Sequence, residues 1–214
     1  MKNLIKGLWI FSLTIIFMTS CSNQDDGSGN DKPNYEFENE DFPFLLEHYN
    51  TVNQRLVFKN EEKQEFSFKL KQFEDSNESY IVTGGLGPPS SSLIFNYDVR
   101  TINFEFEQYN QPNGDLHILF NKFSDTLRGS INFPLWNTNE FNLNSEKINF
   151  DQQTIVLNIN GTTFFDVIKI ESGETIIDFE IGPFTKNVNI LYYDLKKGLV
   201  GFDDLNGGEW RLIE

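Results

Sequence analysis

The sequence has 214 residues, which suits one domain or two small ones, and its formal net charge at pH 7 is −15. A chain this acidic lacks the clustered lysines and arginines that bind phosphates, so nucleic acid is excluded as a partner, and an acidic surface also disfavours contact with anionic lipid. It contains one Cys and two His. Disulfides, thiolate metal sites and three-histidine metal sites are therefore excluded, and we expect no metal and no cofactor.

The first twenty residues have the pattern of an export signal. Two lysines precede an apolar run over residues 7–19, which is shorter than the roughly 18 residues that a membrane-spanning helix usually needs. The segment MTSC, residues 18–21, resembles a bacterial lipobox, in which the cysteine becomes the acylated first residue of the mature protein. The resemblance implies that Cys21 carries a lipid anchor of several acyl chains, which would attach the protein to the membrane permanently. The alternative is an ordinary signal peptide with an incidental cysteine.

The segment SNQDDGSGNDKP, residues 22–33, contains almost nothing to bury and is typical of a flexible tether. Within it, Gln24-Asp25-Asp26 resembles the acidic export tag of Bacteroidetes surface lipoproteins, which implies an outer-membrane location facing outward. The alternative is a generic acidic linker. We therefore expect a signal peptide over 1–20, a lipidated cysteine with a tether over 21–34, and a folded domain over 35–214.

The remaining sequence predicts β-strands. Apolar residues alternate with polar ones, as in antiparallel sheets with one solvated face, and only 42–49 favours a short helix. The predicted inward triplets are Phe66-Phe68-Leu70, Ile102-Phe104-Phe106, Leu116-Ile118-Phe120, Ile155-Leu157-Ile159, Ile177-Phe179-Ile181 and Val188-Ile190-Tyr192.

Three Asn-Gly dipeptides, at 113–114, 160–161 and 206–207, predict type I′ hairpin turns, because Asn and Gly accept the positive φ angles that this turn needs. The hairpins they predict pair 101–109 with 115–123, 153–159 with 162–171, and 198–203 with 208–213. Regular strand spacing with these turns predicts a single all-β domain, either an antiparallel sandwich or a partly open barrel.

The C-terminal third carries a second resemblance. The runs INGTTFFDVIKIE (159–171) and ILYYDLKKGLVGFDDLNGGEWRLIE (190–214) are similar to the ending of flavobacterial surface lipoproteins. The resemblance supports an antiparallel β domain and implies no activity and no catalytic residues. The residues themselves predict sheet packing for the aromatics, and a tight turn and a close backbone approach at Gly198 and Gly201.

No nucleophile elbow, phosphate loop or dinucleotide fingerprint occurs, and we expect no enzyme and no catalytic residue. The candidate ligand site is Trp136 with Asn137 and Asn139, since a loop tryptophan among amides suits sugar stacking. The same pattern also suits a loop pinned to the core, which is the favoured interpretation. The segment Asp125-Thr126-Leu127 resembles the Bacteroidetes O-glycosylation motif and marks Thr126 as a candidate for modification.

Two other short patterns have structural interpretations. His117 falls on the polar face of a predicted strand and is expected to be solvated. Asp203-Asp204 beside Asn206 could suggest calcium, but the spacing does not match an EF-hand loop, and a hairpin turn explains it.

These observations leave three functional hypotheses. The leading one is a non-enzymatic binding or structural module at the cell surface, with a glycan or a protein as its ligand. The first alternative is a carrier of hydrophobic or lipid cargo in a half-open barrel. The mature protein would suit it with 20 phenylalanines, which are the 22 of the whole chain without Phe11 and Phe17 of the expected signal peptide. The second is a hidden hydrolase that uses paired carboxylates, because such pairs are defined in space and not by spacing along the chain.

Protease treatment of intact source cells tests the predicted location. We expect the protein to disappear from intact cells, because an outward-facing anchored domain is accessible to protease. Lysed cells and a Cys21→Ala variant are the controls. Protection until lysis would place the protein in the periplasm and favour the carrier hypothesis.

Overall fold

The computed structural model describes residues 32–51, 53–82, 93–107, 115–136, 145–173, 175–181 and 183–213. These residues contain two short 3₁₀ helices, Phe42–Phe44 and Glu47–Tyr49, and fourteen strands, and none of their helices is long and apolar enough to cross a membrane. The strands are β1 (Asn34–Tyr35), β2 (Arg55–Lys59), β3 (Glu65–Val82), β4 (Leu93–Phe106), β5 (Leu116–Phe123), β6 (Thr126–Asn132), β7 (Glu146–Ile148), β8 (Ile155–Ile159), β9 (Thr162–Glu171), β10 (Asp178–Ile181), β11 (Phe184–Lys186), β12 (Val188–Asp194), β13 (Gly198–Asp204) and β14 (Glu209–Leu212).

One long sheet dominates the fold, with strand order β7-β6-β5-β4-β3-β2-β14-β13-β12-β9-β8. Its neighbours are antiparallel, β1 adds to β4 in parallel, and β10 pairs with β11 separately. The sheet curls into a half-barrel. The segment after β6 reaches β12, where the Val188 amide donates to the Leu135 carbonyl at 2.8 Å. The predicted all-β single domain is confirmed, in its partly open barrel form.

The three predicted strand pairings are confirmed, and one turn differs. β4 pairs with β5, and its Asn-Gly turn at 113–114 lies outside the described residues. β8 pairs with β9 through Asn160 (φ 50°) and Gly161 (φ 86°), as a type I′ turn requires. β13 pairs with β14, but only Gly207 of the third Asn-Gly dipeptide has positive φ. A type I′ turn is therefore wrong at 206–207.

Asp204 explains that different turn. Its Oδ1 accepts hydrogen bonds from the amides of Asn206 (2.8 Å) and Gly208 (2.9 Å), and its carbonyl accepts one from Gly207. These bonds close a three-residue loop with glycine in the left-handed position, the type I turn with a bulge. The hairpin interpretation of Asp203-Asp204 is confirmed.

The inward triplets of β3, β4 and β5 are confirmed as core, with Leu70 only half-buried. The β12 triplet is wrong beyond Val188, because a bulge between Val188 and Ile190 reverses the alternation. Leu191 and Tyr193 are buried in its place. A second bulge in β8 exposes Ile155 and leaves Ile159 as the buried member of its triplet. The side chains of Phe179 and Ile181 lie outside the described residues.

Aromatic side chains fill the concave side of the sheet. The ring of Phe66 lies within 4.9 Å (centroid to centroid) of the rings of Phe68, Phe106 and Phe184. Phe202 stacks on Trp210 with an interplanar angle of 12°. Such pairs add about 1 kcal/mol each beyond the area they bury. The inner face is therefore occupied by the domain's own side chains.

A segment that we call the N-terminal strap, residues 36–50, covers part of this core. The short helix predicted over 42–49 is present there as two separate 3₁₀ turns. They are separate because Leu46, which lies between them, adopts a left-handed conformation (φ 51°). Leu45, Leu46 and Tyr49 are buried in the main core. The Tyr49 hydroxyl donates to the Lys197 carbonyl at 2.6 Å, which ties the strap to the turn before β13.

Gly198 gives a stability test of this contact. It has φ 85°, and a Cβ there would lie 2.5 Å from Tyr49 Oη. Gly198→Ala should lower the free energy of unfolding by about 3 kcal/mol, since the left-handed conformation and the clash both destabilise it. Gly161→Ala is the control, because its φ is 86° and a Cβ would meet nothing within 4 Å.

Urea unfolding followed by tryptophan fluorescence measures both variants. Gly161→Ala should cost about 1 kcal/mol, from backbone conformation alone. Equal losses in the two variants would contradict the close approach of the strap to Gly198.

Candidate ligand cleft

A cleft of about 1100 Å³ lies between the N-terminal strap, the start of β6 and the end of β7. Its volume lies slightly above the range that ligand pockets occupy, roughly 300–1,000 Å³. Its lining combines carboxylates, amides, hydroxyls, two cations and exposed parts of aromatic rings. The lining residues are Glu40, Asp41, Phe44, Asn121, Asp125, Thr126, Leu127, Arg128, Gly129, Ser130, Ser145, Lys147, Ile148, Asn149, Phe150 and Asp151.

Strand pairing creates the cleft. β7 pairs only with Gly129, Ser130 and Ile131, so the first residues of β6 have no strand partner on that side among the described residues. Phe150 forms the floor of the cleft and comes close to the backbone of β6 at Gly129. A Cβ on it would lie 3.0 Å from Cζ of Phe150, so this position suits glycine. Phe150 in turn packs edge-on against Phe44 of the strap, with their centroids 5.4 Å apart.

A buried lysine fixes the strap side of the cleft. Lys122 of β5 is 2% exposed, and its Nζ donates to Asp41 Oδ2 at 2.8 Å and to Glu38 Oε2 at 3.0 Å. Burial acts to lower the pKa of Lys122, but the hydrogen bonds to these two carboxylates outweigh it and the pKa lies above its usual value. Lys122 therefore stays charged and holds the strap against the sheet.

The two cations that line the cleft, Arg128 and Lys147, have surroundings unlike those of Lys122. Among the described residues, neither Arg128 nor Lys147 has a carboxylate within ion-pair distance. The Arg128 guanidinium lies over the Phe123 ring, 4.2 Å from its centroid. Such a cation–π contact keeps the polar edge of the guanidinium free for further hydrogen bonds.

Beside the cleft, Phe123 belongs to an aromatic group that alternation alone did not identify. We call it the outer aromatic cluster: Tyr35, Tyr80, Phe95, Tyr97 and Phe123, with neighbouring ring centroids 5.0–6.2 Å apart. Its strand partners place it on the opposite side of the sheet from the core residue Phe104. Tyr80 is 48% exposed, so part of this aromatic surface faces solvent.

The structure describes only part of the predicted ligand site. Trp136 is 2% exposed, and its Nε1 donates to Glu146 Oε1 at 3.0 Å, so the side chain sits in the core as a pin for the loop. Asn137 and Asn139 lie outside the described residues, as does Cys21. Thr126 is exposed on the cleft rim, after a turn in which Ser124 and Asp125 both have positive φ.

Each of the two histidines has a hydrogen-bond partner within the fold. His117 is exposed on the outer face, as predicted, and its Nδ1 lies 2.6 Å from Asn103 Oδ1. His48 Nε2 lies 3.3 Å from the Lys197 carbonyl. Burial lowers the pKa of His48, and this hydrogen bond opposes the shift. Among the described residues, no group of three His, Cys, Asp or Glu side chains could hold a metal ion.

The alternative of hydrophobic cargo requires space inside the half-barrel. That interior holds four buried aromatic side chains, in which the ring of Phe66 contacts those of Phe68, Phe202 and Trp210. The strap adds Leu45, Leu46 and Tyr49 to the same core. Among the described residues, these side chains fill the part of the interior that they line.

Comparison of the chain with models of protein families, with curated proteins and with solved structures gave no match in any of the three.

Trp136 gives a test that separates pinning from ligand stacking. Trp136→Ala should lower the free energy of unfolding by about 3–5 kcal/mol, because it removes a large buried ring and leaves Glu146 without this donor. Trp136→Phe, which keeps most of the apolar volume, should cost less. Chemical denaturation measures both. Unchanged stability in Trp136→Ala together with lost ligand binding would identify the ring as a stacking surface.

Proposed function

We propose that this protein is a lipoprotein of the bacterial outer membrane, anchored through acylated Cys21 and exposed at the cell surface, and that its β domain binds a glycan. The observation that supports glycan binding is the cleft at the start of β6, where polar groups of several kinds surround an aromatic floor. The resemblance of residues 18–21 to a lipobox and the acidic segment that follows support the anchor and the location.

The composition of the cleft suits a carbohydrate. A sugar ring has hydroxyl groups on its edge, each of which can both donate and accept a hydrogen bond, and apolar C–H faces. The carboxylates of Asp125 and Asp151 and the amide of Asn149 can accept from hydroxyls, and Arg128 and Lys147 can donate to them. The ring of Phe150 offers an apolar surface for a C–H face.

The binding role needs no bond-making step, and the proposal includes no catalytic residue and no cofactor. Two features favour a preformed site. Lys122 holds the strap wall of the cleft, and Gly129 allows the close approach of the floor. A site that is fixed before binding loses less conformational entropy when the ligand arrives.

Screening on a glycan array followed by titration tests this function. For any glycan that binds, Arg128→Ala should weaken the affinity by about tenfold, the loss expected for one hydrogen bond to a charged group. Arg55→Ala is the matched control, because Arg55 is also exposed but pairs with Glu107 elsewhere on the sheet. Unfolding curves should show both variants folded.

Two results would overturn the proposal. One is an array on which the folded protein binds no glycan. The other is a bound glycan whose affinity is unchanged both in Arg128→Ala and in a cleft-blocking Ser130→Trp variant.

A further inference from the structure

The cleft is lined by residues from both faces of the sheet. Strand pairing places Gly129 opposite Ile148 and Ser130 opposite Lys147. Gly129 and Ile148 are buried on the core side, and successive side chains of a strand point to opposite faces. Ser130 and Lys147 therefore belong to the outer face, together with Arg128, which lies two residues before Ser130 on the same strand. We call this part of the lining the outer half of the cleft.

The outer half of the cleft contains cations without acidic strand neighbours. On the outer face of β5, β6 and β7, the described strand residues include no Asp and no Glu. Carboxylates line the cleft from the strap, from the turn before β6 and from the segment after β7: Glu40, Asp41, Asp125 and Asp151. Asp41 among them is already bound to Lys122. The two signs of charge are thus separated within one cleft.

Arg128 differs from the other arginines of this chain. Of the four arginines, Arg55, Arg100 and Arg211 bind carboxylates at 2.8, 2.6 and 2.7 Å. Arg128 and Lys147 have no carboxylate within ion-pair distance among the described residues, although the sequence has 32 acidic and 17 basic residues. Carboxylate partners are plentiful in this chain, so a pair of cations without them is a feature that a ligand would explain.

The two cations can reach the same ligand group. Lys147 lies opposite Ser130, so Arg128 is its diagonal neighbour on the next strand, and long side chains reach each other across that diagonal. Like charges at this spacing repel each other, and an anion placed between them replaces the repulsion with two attractions. Asn121, which pairs with Arg128 and also lines the cleft, adds an amide donor beside them.

The Arg128 side chain is oriented for such an anion. Its guanidinium lies flat enough over the Phe123 ring to place its carbon 4.2 Å from the ring centroid. This contact restrains the guanidinium and leaves its N–H edge available. The planar fork of N–H groups matches two oxygens of one carboxylate, and it donates equally well to the oxygens of a tetrahedral anion.

We infer that the glycan bound in the cleft is acidic, and that its carboxylate or sulfate group lies between Arg128 and Lys147. The inference rests on the proposed glycan binding and names the class of glycan. The net charge of −15 repels an anion at a distance, but at physiological ionic strength solvent screens exposed charges beyond about 8 Å. The two cations in direct contact therefore decide the interaction at this place.

Titration of the full-length protein with matched polysaccharides tests the inference. The probes are polygalacturonate, dextran sulfate and every acidic glycan that binds on the array, each beside its carboxyl-reduced or desulfated form. We expect the acidic form of a bound glycan to have at least tenfold higher affinity than its uncharged form, because each charged group gains hydrogen bonds to two cations. Sodium sulfate and sodium galacturonate are titrated separately as free anions.

Charge variants then locate the group. Arg128→Gln and Lys147→Gln should each reduce the preference for the acidic form by about tenfold, because glutamine keeps a hydrogen-bond donor and loses the charge. Lys63→Gln is the matched control, since it makes the same charge change at an exposed lysine between β2 and β3 that does not line the cleft. Unfolding curves should show all three variants folded.

The outcomes separate this inference from the proposed function. Glycan binding that is restricted to uncharged glycans, is equal for the two forms, or keeps its preference for the acidic form in both cleft variants would overturn the inference and leave glycan binding intact. Free sulfate or galacturonate that binds as tightly as the polysaccharides would also overturn it, in favour of a site for a small anion. Absence of binding to any glycan would overturn the proposed function itself.

Discussion

Two buried cations, Lys122 and Arg100, hold the N-terminal strap in place, and the rest of the domain depends on that segment. Lys122 binds Asp41 and Glu38, and Arg100 donates both to Asp75 and to the Leu45 carbonyl. A buried charge without partners costs several kcal/mol, so each cation fixes its partners in place as long as the domain is folded. The strap is thereby held over the open side of a sheet that does not close on itself, and it becomes one wall of the cleft.

The half-open form of the sheet has a second consequence, because an open sheet has two edges. The edge at β7 stops early, after pairing with three residues of β6, and the space beyond it is the cleft. The edge at β8 is longer, uncharged and backed by its own small core. The two edges of the sheet therefore differ in length, in charge and in what lies beside them.

Local patterns predicted much of the fold and little of the site. Alternation identified the inward residues of β3, β4 and β5, and Asn-Gly dipeptides located hairpins, because both depend on neighbouring residues. The β12 bulge was not predictable, since it depends on fitting β12 against β13. The turn at 206–207 was decided by the Asp204 side chain, a local signal that outweighed the dipeptide. The cleft joins residues from 40 to 151 in sequence, and no spacing rule connects them.

Trp136 shows why composition alone leaves two interpretations of a loop tryptophan open. A tryptophan beside amides fits both a stacking surface and a core pin, and the choice depends on what packs around the ring. Here Glu146 of β7 accepts from the indole, and the neighbouring backbone bonds to β12. The Trp136 side chain therefore holds β7 in place, and the end of β7 lines the cleft. Its contribution to binding would be indirect: it fixes the position of β7, and β7 determines how far β6 stays uncovered.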